Sequence, residues 1–291
     1  ILMDHISDAE FIFGDSIQAI SQSSDSVQVE FAKNGRREFD LVIGADGLHS
    51  HVRTSVFGDE SHFIRDLGLY LCVYTVPNYL NLDRMEMQYS ELGRVAAIWS
   101  SRGDASAKAC FGFVAPTRVD LRNKDQQQQM LKNVYEGIGW ELPRLLEMMP
   151  SAPDFYFDAA AQISMPRWSQ GRVVLVGDAG YCASPMSGQG TSLALIGAYV
   201  LAGELAAASG AYQIAFDRYE KEMRPFVMLN QALGIKSANL MRSKEDKIAF
   251  TWLLGQIMRI APGRMIEFFI NRSTQRIHQA ANAIALKNYS A

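Results

Sequence analysis

The apolar and polar positions fall into distinct rhythms along the chain. Glu10–Ile20 and "SVQVEFA" (26–32) alternate with period two, which predicts half-buried strands, and Asn34-Gly35 follows as a hairpin turn. "DLVIGAD" (40–46) and "GRVVLVGDA" (171–179) do not alternate. They are short, nearly continuous apolar runs, as expected of parallel strands covered on both faces. Between them "LYLCVYTVP", "RMEMQYS", "GRVAAIWSS" and "AKACFGFVAP" are β-like runs separated by turn residues, which predicts an antiparallel sheet. A helical period covers 125–150, with Met130, Val134, Ile138 and Leu142 on one stripe, and "DFYFDAAAQISMPRW" supplies another strand.

The C-terminal part changes to helix. "GTSLALIGAYVLAGELAAASG" (190–210) is apolar nearly all round and is expected to be buried. "AYQIAFDRYEKEMRP" is a charged amphipathic helix expected to stop at Pro225, and 226–291 reads as helical with a break at Pro262-Gly263. The layout is α/β: a partial Rossmann-like domain interrupted by an antiparallel-sheet substrate domain, with a C-terminal helical region. The expected boundaries are 1–61 and 166–225 for the two parts of the nucleotide-binding domain, 62–165 for the insert and 226–291 for the helices.

Composition narrows the function. An apolar share of 48% and a charged share of 20% suit an ordinary globular chain, and the net charge of −3 gives no basic footprint for nucleic acid. Cys72, Cys110 and Cys182 lie far apart with no CxxC pair, so a cytoplasmic location is expected rather than a disulfide framework. The histidines (His5, His49, His51, His62, His278) lack zinc-ligand spacing, and no metal is expected. Asp4, Asp8, Glu10 and Asp15 crowd the start, where a signal peptide would need a basic region. The uncharged run from Ala179 to Gly203 is interrupted by glycines and Pro185, so no transmembrane helix is expected.

The chemistry gathers in "GRVVLVGDAGYCASPMSGQG" (171–190). An interior strand ends at Asp178, and in open α/β sheets ligands bind beyond the carboxyl ends of the strands. A carboxylate there accepts from sugar or ribityl hydroxyls. Gly188 and Gly190 admit a flat ligand close to the backbone, and a helix starting near Gly190 aims free N–H groups and partial positive charge at it. A polyol joined to a planar electron-accepting ring, a flavin, uses all of these features. A plain strand–loop–helix corner, with Asp178 as a cap, uses most of them too.

The longer stretch 171–205 resembles the second flavin motif of the single-component FAD-dependent aromatic hydroxylases, the p-hydroxybenzoate hydroxylase-like monooxygenases. "DLVIGADGLHSHVR" resembles their D-G-x-x-S-x-V-R signature, through Asp46, Gly47, Ser50, Val52 and Arg53, and "YEKEMRP" (219–225) resembles the helix that follows. The resemblance implies FAD held by Asp46, Gly47, Arg53, Gly177, Asp178, Pro185, Gly188, Gln189, Gly190, Thr191 and Ser192. Within that set, Gly177-Asp178 binds the ribityl chain and the Pro185–Gly190 loop lines the ring. It also implies NADPH or NADH as reductant, O2 as co-substrate, and hydroxylation of an aromatic or polyketide-like small molecule through a C4a-hydroperoxyflavin, with no catalytic side chain required. An FAD-dependent reductase without oxygen insertion, or a non-catalytic small-molecule-binding fragment, would retain parts of the same pattern.

Two departures stand out from that family. Gly180-Tyr181 replaces the common Ala-His, and no G-x-G-x-x-G occurs anywhere in the chain. Since the chain opens on Ile1, with Met3 in what reads as a helix end, a preceding segment is expected to carry that fingerprint. Tyr70, Tyr74, Met85, Met87, Trp99, Phe111 and Phe113 are candidates for an apolar substrate pocket, although alternation alone predicts core packing for each. Cys182 reads as a small buried thiol. The tail, with Arg259, Arg264 and Arg272 beside an apolar stripe, is expected to pack on the domains or cover the substrate entrance.

Overall fold

Three sheets, with helices packed on them, make up residues 3–114, 119–242 and 279–289, which the computed structural model describes. The first sheet is the antiparallel meander β1 (Ile17–Gln22), β2 (Val27–Phe31) and β3 (Gly35–Phe39). Its second turn falls at Asn34-Gly35, with Gly35 at φ +69°. The alternation over Glu10–Ser16 does not become strand. Asp15 instead accepts from the backbone N–H groups of Lys33 and Asn34, at 3.0 and 3.1 Å, and so bolts this segment to the hairpin tip.

The second sheet holds the parallel pair. β4 (Val42–Gly44) lies beside β11 (Val173–Leu175), in register Val42↔Val173 and Gly44↔Leu175, and β10 (Ser169–Gln170) closes the other side of β11. Covering on both faces holds for β11, whose three residues are fully buried. It fails for β4, which is an edge strand among the described residues and leaves Ile43 48% exposed.

After α1 (His51–Phe57), the long β5 (Ile64–Pro77) enters a five-stranded antiparallel sheet. Its order is β6-β7-β8-β5-β9, with β6 Met85–Glu91, β7 Arg94–Ser100, β8 Ser106–Phe113 and β9 Tyr156–Ile163. Tyr70, Tyr74, Phe111 and Phe113 all face the helices α2 (Lys124–Tyr135) and α3 (Leu142–Met148), where they meet Leu131, Tyr135, Leu142 and Leu145 in a buried cluster. The single helix expected over 125–150 is two helices. The chain breaks where Gly137 (φ +73°) and Trp140 (φ +58°) take left-handed backbone.

The C-terminal half is α4 (Asp178–Tyr181), α5 (Gly190–Ala207) and α6 (Tyr212–Arg242). Contrary to expectation, α6 runs straight through Pro225. An interior proline costs roughly 3 kcal/mol. Tyr219, Met223, Phe226 and Val227 are buried on either side of it, and each such side chain contributes roughly 1.5–3 kcal/mol, so continuity wins. α5 is not buried all round: Leu195 and Tyr199 are exposed, while Leu193, Val200 and Leu201 enter the core. Among the described residues α5 is the one helix whose length and composition would allow it to cross a membrane. The segment ending at Tyr289 lies across α5, where Lys287 Nζ and the Tyr289 hydroxyl both donate to the buried Glu204. The tail features at Arg259, Pro262-Gly263, Arg264 and Arg272 lie outside the described residues.

Candidate functional site

The loop after β4 is organised by Asp46. Its carboxylate accepts from Ser50 Oγ at 2.5 Å and from Val52 N at 3.0 Å, while Ser50 Oγ accepts from Arg53 N at 2.9 Å, so the start of α1 is capped twice. Gly47, at φ +81°, makes the turn. Arg53 is fully buried. It donates to Ala179 O at 2.9 Å, to Leu48 O at 2.7 Å and to Glu60 Oε2 at 2.5 Å. Burial pulls its pKa down and the nearby Glu60 and Asp46 oppose that, while the Arg53 Nε has no hydrogen-bond partner among the described residues. Arg53 therefore ties the loop after β4 to the turn after β11, from underneath.

That turn depends on glycine. Gly177 sits at φ +64°, and a Cβ there would come within 3.2 Å of Ala194 Cβ on α5. The half-buried Asp178 follows and looks across to the start of α5: its Oδ1 lies 4.0 Å from where a Cβ on Gly190 would be. Gln189, the N-cap of α5, makes no side-chain capping bond, so the first-turn N–H groups at Gly190, Thr191 and Ser192 face outward without a capping side chain. Pro185, Gly188 and Thr191 are exposed, and Gln189 is buried.

The loop between Asp178 and α5 carries strain. Ser184 adopts φ +73°, ψ +146°, a region close to glycine-only and worth roughly 1–3 kcal/mol of strain. Residues absent from the sequence-based expectation hold it there. Gln162 of β9, 2% exposed, donates to Ala183 O at 3.1 Å and to Gln231 O at 2.8 Å. Gln231 of α6 donates to Ile163 O at 2.8 Å. Gly234 lets α6 approach until a Cβ would come within 3.0 Å of Ala183 O. The one available signal was a glutamine inside the apolar run "AAAQI", a polar group that needs buried partners.

Tyr181, where the family commonly has histidine, points into the core. Its ring lies 4.5 Å from Trp168, and its hydroxyl donates to Tyr219 Oη at 2.9 Å, which in turn donates to Leu175 O at 3.1 Å. Burial pushes the Tyr181 phenol up to about 12, so it moves no proton near neutrality. Cys182 is buried too, pushed up to about 12 by burial and by Asp178, which makes it an inert thiol. In the five-stranded sheet, Tyr70, Tyr74, Phe111 and Phe113 are buried core residues. Trp99 and Met85 edge a shallow hollow of about 300 Å³ with Arg84, Glu86 and Ser100.

The family model described as FAD binding domain matches residues 1–232. The chain belongs to that family. A flavin-dependent monooxygenase from an unidentified prokaryotic organism is 39% identical over 99% of this chain and 71% of its own length. An uncharacterised protein of Mycobacterium tuberculosis is 49% identical over 77% of this chain, and the aligned part is 60% of that relative. The chain thus spans about three fifths of the length of the first curated relatives it matches. The solved structure of tetracycline destructase Tet(55) superposes with a TM-score of 0.80 at 38% identity, over 94% of this chain and 69% of that one. Within this FAD-binding family the parallel β4–β11 pair and the two motif turns, joined by Arg53, form the part of the fold where a cofactor could be held.

Proposed function

We propose that this chain forms the ribityl and ring wall of an FAD-dependent monooxygenase that uses NAD(P)H and O2 to hydroxylate an aromatic or polyketide-like small molecule. One observation carries the reading: a half-buried carboxylate, Asp178, faces the uncapped start of α5 across Gly188-Gln189-Gly190. Asp178 accepts from ribityl hydroxyls, and Gly177 sets its turn. Pro185, Gly188 and Gln189 form the floor beneath the ring. The N–H groups at Gly190, Thr191 and Ser192, with the helix dipole, stabilise negative charge on the bound cofactor. Asp46, Gly47 and Arg53 shape the neighbouring turn. FAD, when bound, supplies the electron transfer and oxygen activation, and the protein supplies orientation and exclusion of water.

The fit is to the ribityl and ring half of the cofactor. With no G-x-G-x-x-G in the chain, no glycine-rich cradle for the pyrophosphate is proposed for these residues. The substrate domain is assigned to 62–165, between the cofactor-domain parts 1–61 and 166–225; of the remainder, α6 continues to Arg242, 243–278 lie outside the described residues, and 282–289 are not helical. The likeness to tetracycline destructase supports a polycyclic, polyketide-like substrate.

Titration of the purified chain with FAD and with FMN, followed by flavin fluorescence quenching, tests this reading. Since the proposed contacts stop at the ribityl chain, both should bind with dissociation constants within about tenfold, a difference of roughly 1.4 kcal/mol. Quenching by neither would overturn the assignment. Substrate-dependent oxygen uptake coupled to NAD(P)H oxidation separates a monooxygenase from a reductase.

A further inference from the structure

His49 lies in the loop that carries Asp46 and Gly47, just ahead of α1, and a carboxylate stands at each of its ring nitrogens. Nδ1 is 2.8 Å from Glu60 Oε1, in the short 3-10 turn Glu60–His62, and Nε2 is 3.3 Å from Asp158 Oδ2, on β9. A neutral imidazole has one N–H and one lone pair, so it can donate to only one of the two. With acceptor-only oxygens on both sides, the geometry requires the imidazolium. Its side chain is 49% exposed, so the proton exchanges with solvent.

We propose that His49 is a proton-dependent clasp: as the imidazolium it joins the 46–50 loop of the cofactor domain to β9 of the five-stranded sheet, and it lets go of β9 when it loses its proton. The surrounding charges decide which arm opens. Glu60 also pairs through its other oxygen with Arg53 of α1, and so keeps a cation whatever His49 does. Among the described residues Asp158 pairs with no second cation. Its remaining donors are the Tyr156 hydroxyl at 3.1 Å and the Ala159 N–H at 2.7 Å, both neutral. Asp178 and Cys182 also lie near Tyr156, and Asp178 adds only negative charge there. Deprotonation therefore leaves a lone pair facing Asp158, and the β9 arm fails first.

Burial lowers the His49 pKa, but Glu60 and Asp158 together outweigh it, so the net direction is upward from the ordinary 6.5. A raised folded-state value means the clasp is complete below 6.5 and is lost as pH rises through the folded value. In this chain the loop so released carries two of the residues assigned to the cofactor.

The test is a proton NMR titration of the histidine Cε1–H signals of the full chain, with the His49 line identified from His49→Gln. The expected result is a His49 pKa above 6.5 that falls in Asp158→Asn, a change that keeps the shape of the side chain and removes its charge. A His49 that titrates at or below 6.5, or is unmoved by Asp158→Asn, overturns the clasp. Thermal melts give a second measure: the wild-type advantage in Tm over His49→Gln should shrink as pH rises through that pKa. It should persist across the range in His49→Arg, a permanent cation with donors for both carboxylates. An advantage in Tm that does not change with pH also overturns the proposal. The effect on the cofactor rests on the flavin reading above, and predicts that the FAD dissociation constant rises over the same pH interval. A chain that binds no FAD at any pH yet keeps the titration would sink the flavin reading and leave the clasp standing.

Discussion

Replacing Gly234 by alanine puts two magnitudes in competition. In the interior of a helix the change should help, since alanine is favoured over glycine by about 1 kcal/mol. Here the new methyl would come within 3.0 Å of Ala183 O, a backbone atom of the strained loop, and within 3.1 Å of Gln162 Nε2. A backbone carbonyl cannot swing aside like the end of a lysine. Overpacking of this kind costs roughly 1–3 kcal/mol. Pushing Ala183 O away also breaks the buried bond from Gln162, for roughly another 1–3 kcal/mol. Less the gain of about 1 kcal/mol, the net expectation is a loss of about 1–5 kcal/mol, which corresponds to a fall in Tm of about 2–10 °C for a chain of this size. Differential scanning calorimetry of Gly234→Ala beside Gly139→Ala measures it. Gly139 is exposed with nothing within 4 Å of its would-be Cβ, so that control should stay within about 0.5 kcal/mol of wild type. A Gly234→Ala protein as stable as wild type, or more so, would refute the argument that α6 fixes the loop by direct contact.

Three further outcomes are expected. Arg53→Met strands the carbonyls of Ala179 and Leu48, so urea unfolding should show a loss of about 2–5 kcal/mol; an unchanged midpoint would mean the buried guanidinium does not join the two turns. Asp178→Asn removes a charged acceptor worth roughly 1.5–3 kcal/mol, so the FAD dissociation constant should rise about 10- to 150-fold with little change in Tm; an unchanged constant would remove Asp178 from the cofactor contacts. Tyr219→Phe leaves Leu175 O and the Tyr181 hydroxyl without their buried partner, for about 1–3 kcal/mol by denaturant titration; no loss would show that this hydroxyl pair adds nothing.

How much of this was legible depended on the range of the interaction. The Asn34-Gly35 hairpin and the turn at Gly177-Asp178 are set by residues a few positions apart, and both could be read directly. That 40–46 and 171–179 form parallel-type strands could be read from their apolar runs, but that they pair with each other could not. Pro225 misled because the local rule for proline is about backbone bonding, whereas α6 is held by what Tyr219, Met223, Phe226 and Val227 bury. The break at Gly137 and Trp140 was missed in the other direction, since an apolar stripe at helical spacing survives a break that the backbone does not. Gln231 and Gly234 were invisible, and Gln162 showed only as a polar residue in an apolar run, without its partners. Each acts on carbonyls or loop backbone distant in sequence, and nothing near them says which.

These distant contacts explain how two short motifs far apart in the chain can act as one wall. The loop after β4 is rigid because Asp46 caps α1, and the turn after β11 is rigid because Gly177 and the Tyr181–Tyr219–Leu175 chain fix it. Arg53 joins the first to the second at Ala179, while Gln162, Gln231 and Gly234 brace the chain at Cys182 and Ala183, where the following loop begins, from β9 and α6. The strain at Ser184 can persist only because that bracing over-determines it. Tyr181 then has a physical role in place of a chemical one. A histidine could not fill the space above Gly197, where a Cβ would collide with the Tyr181 hydroxyl, and could not reach Tyr219 in the same way. What the turn gives up in titratable chemistry it gains in rigidity, which suits the proposed role of holding a flavin that carries the chemistry itself.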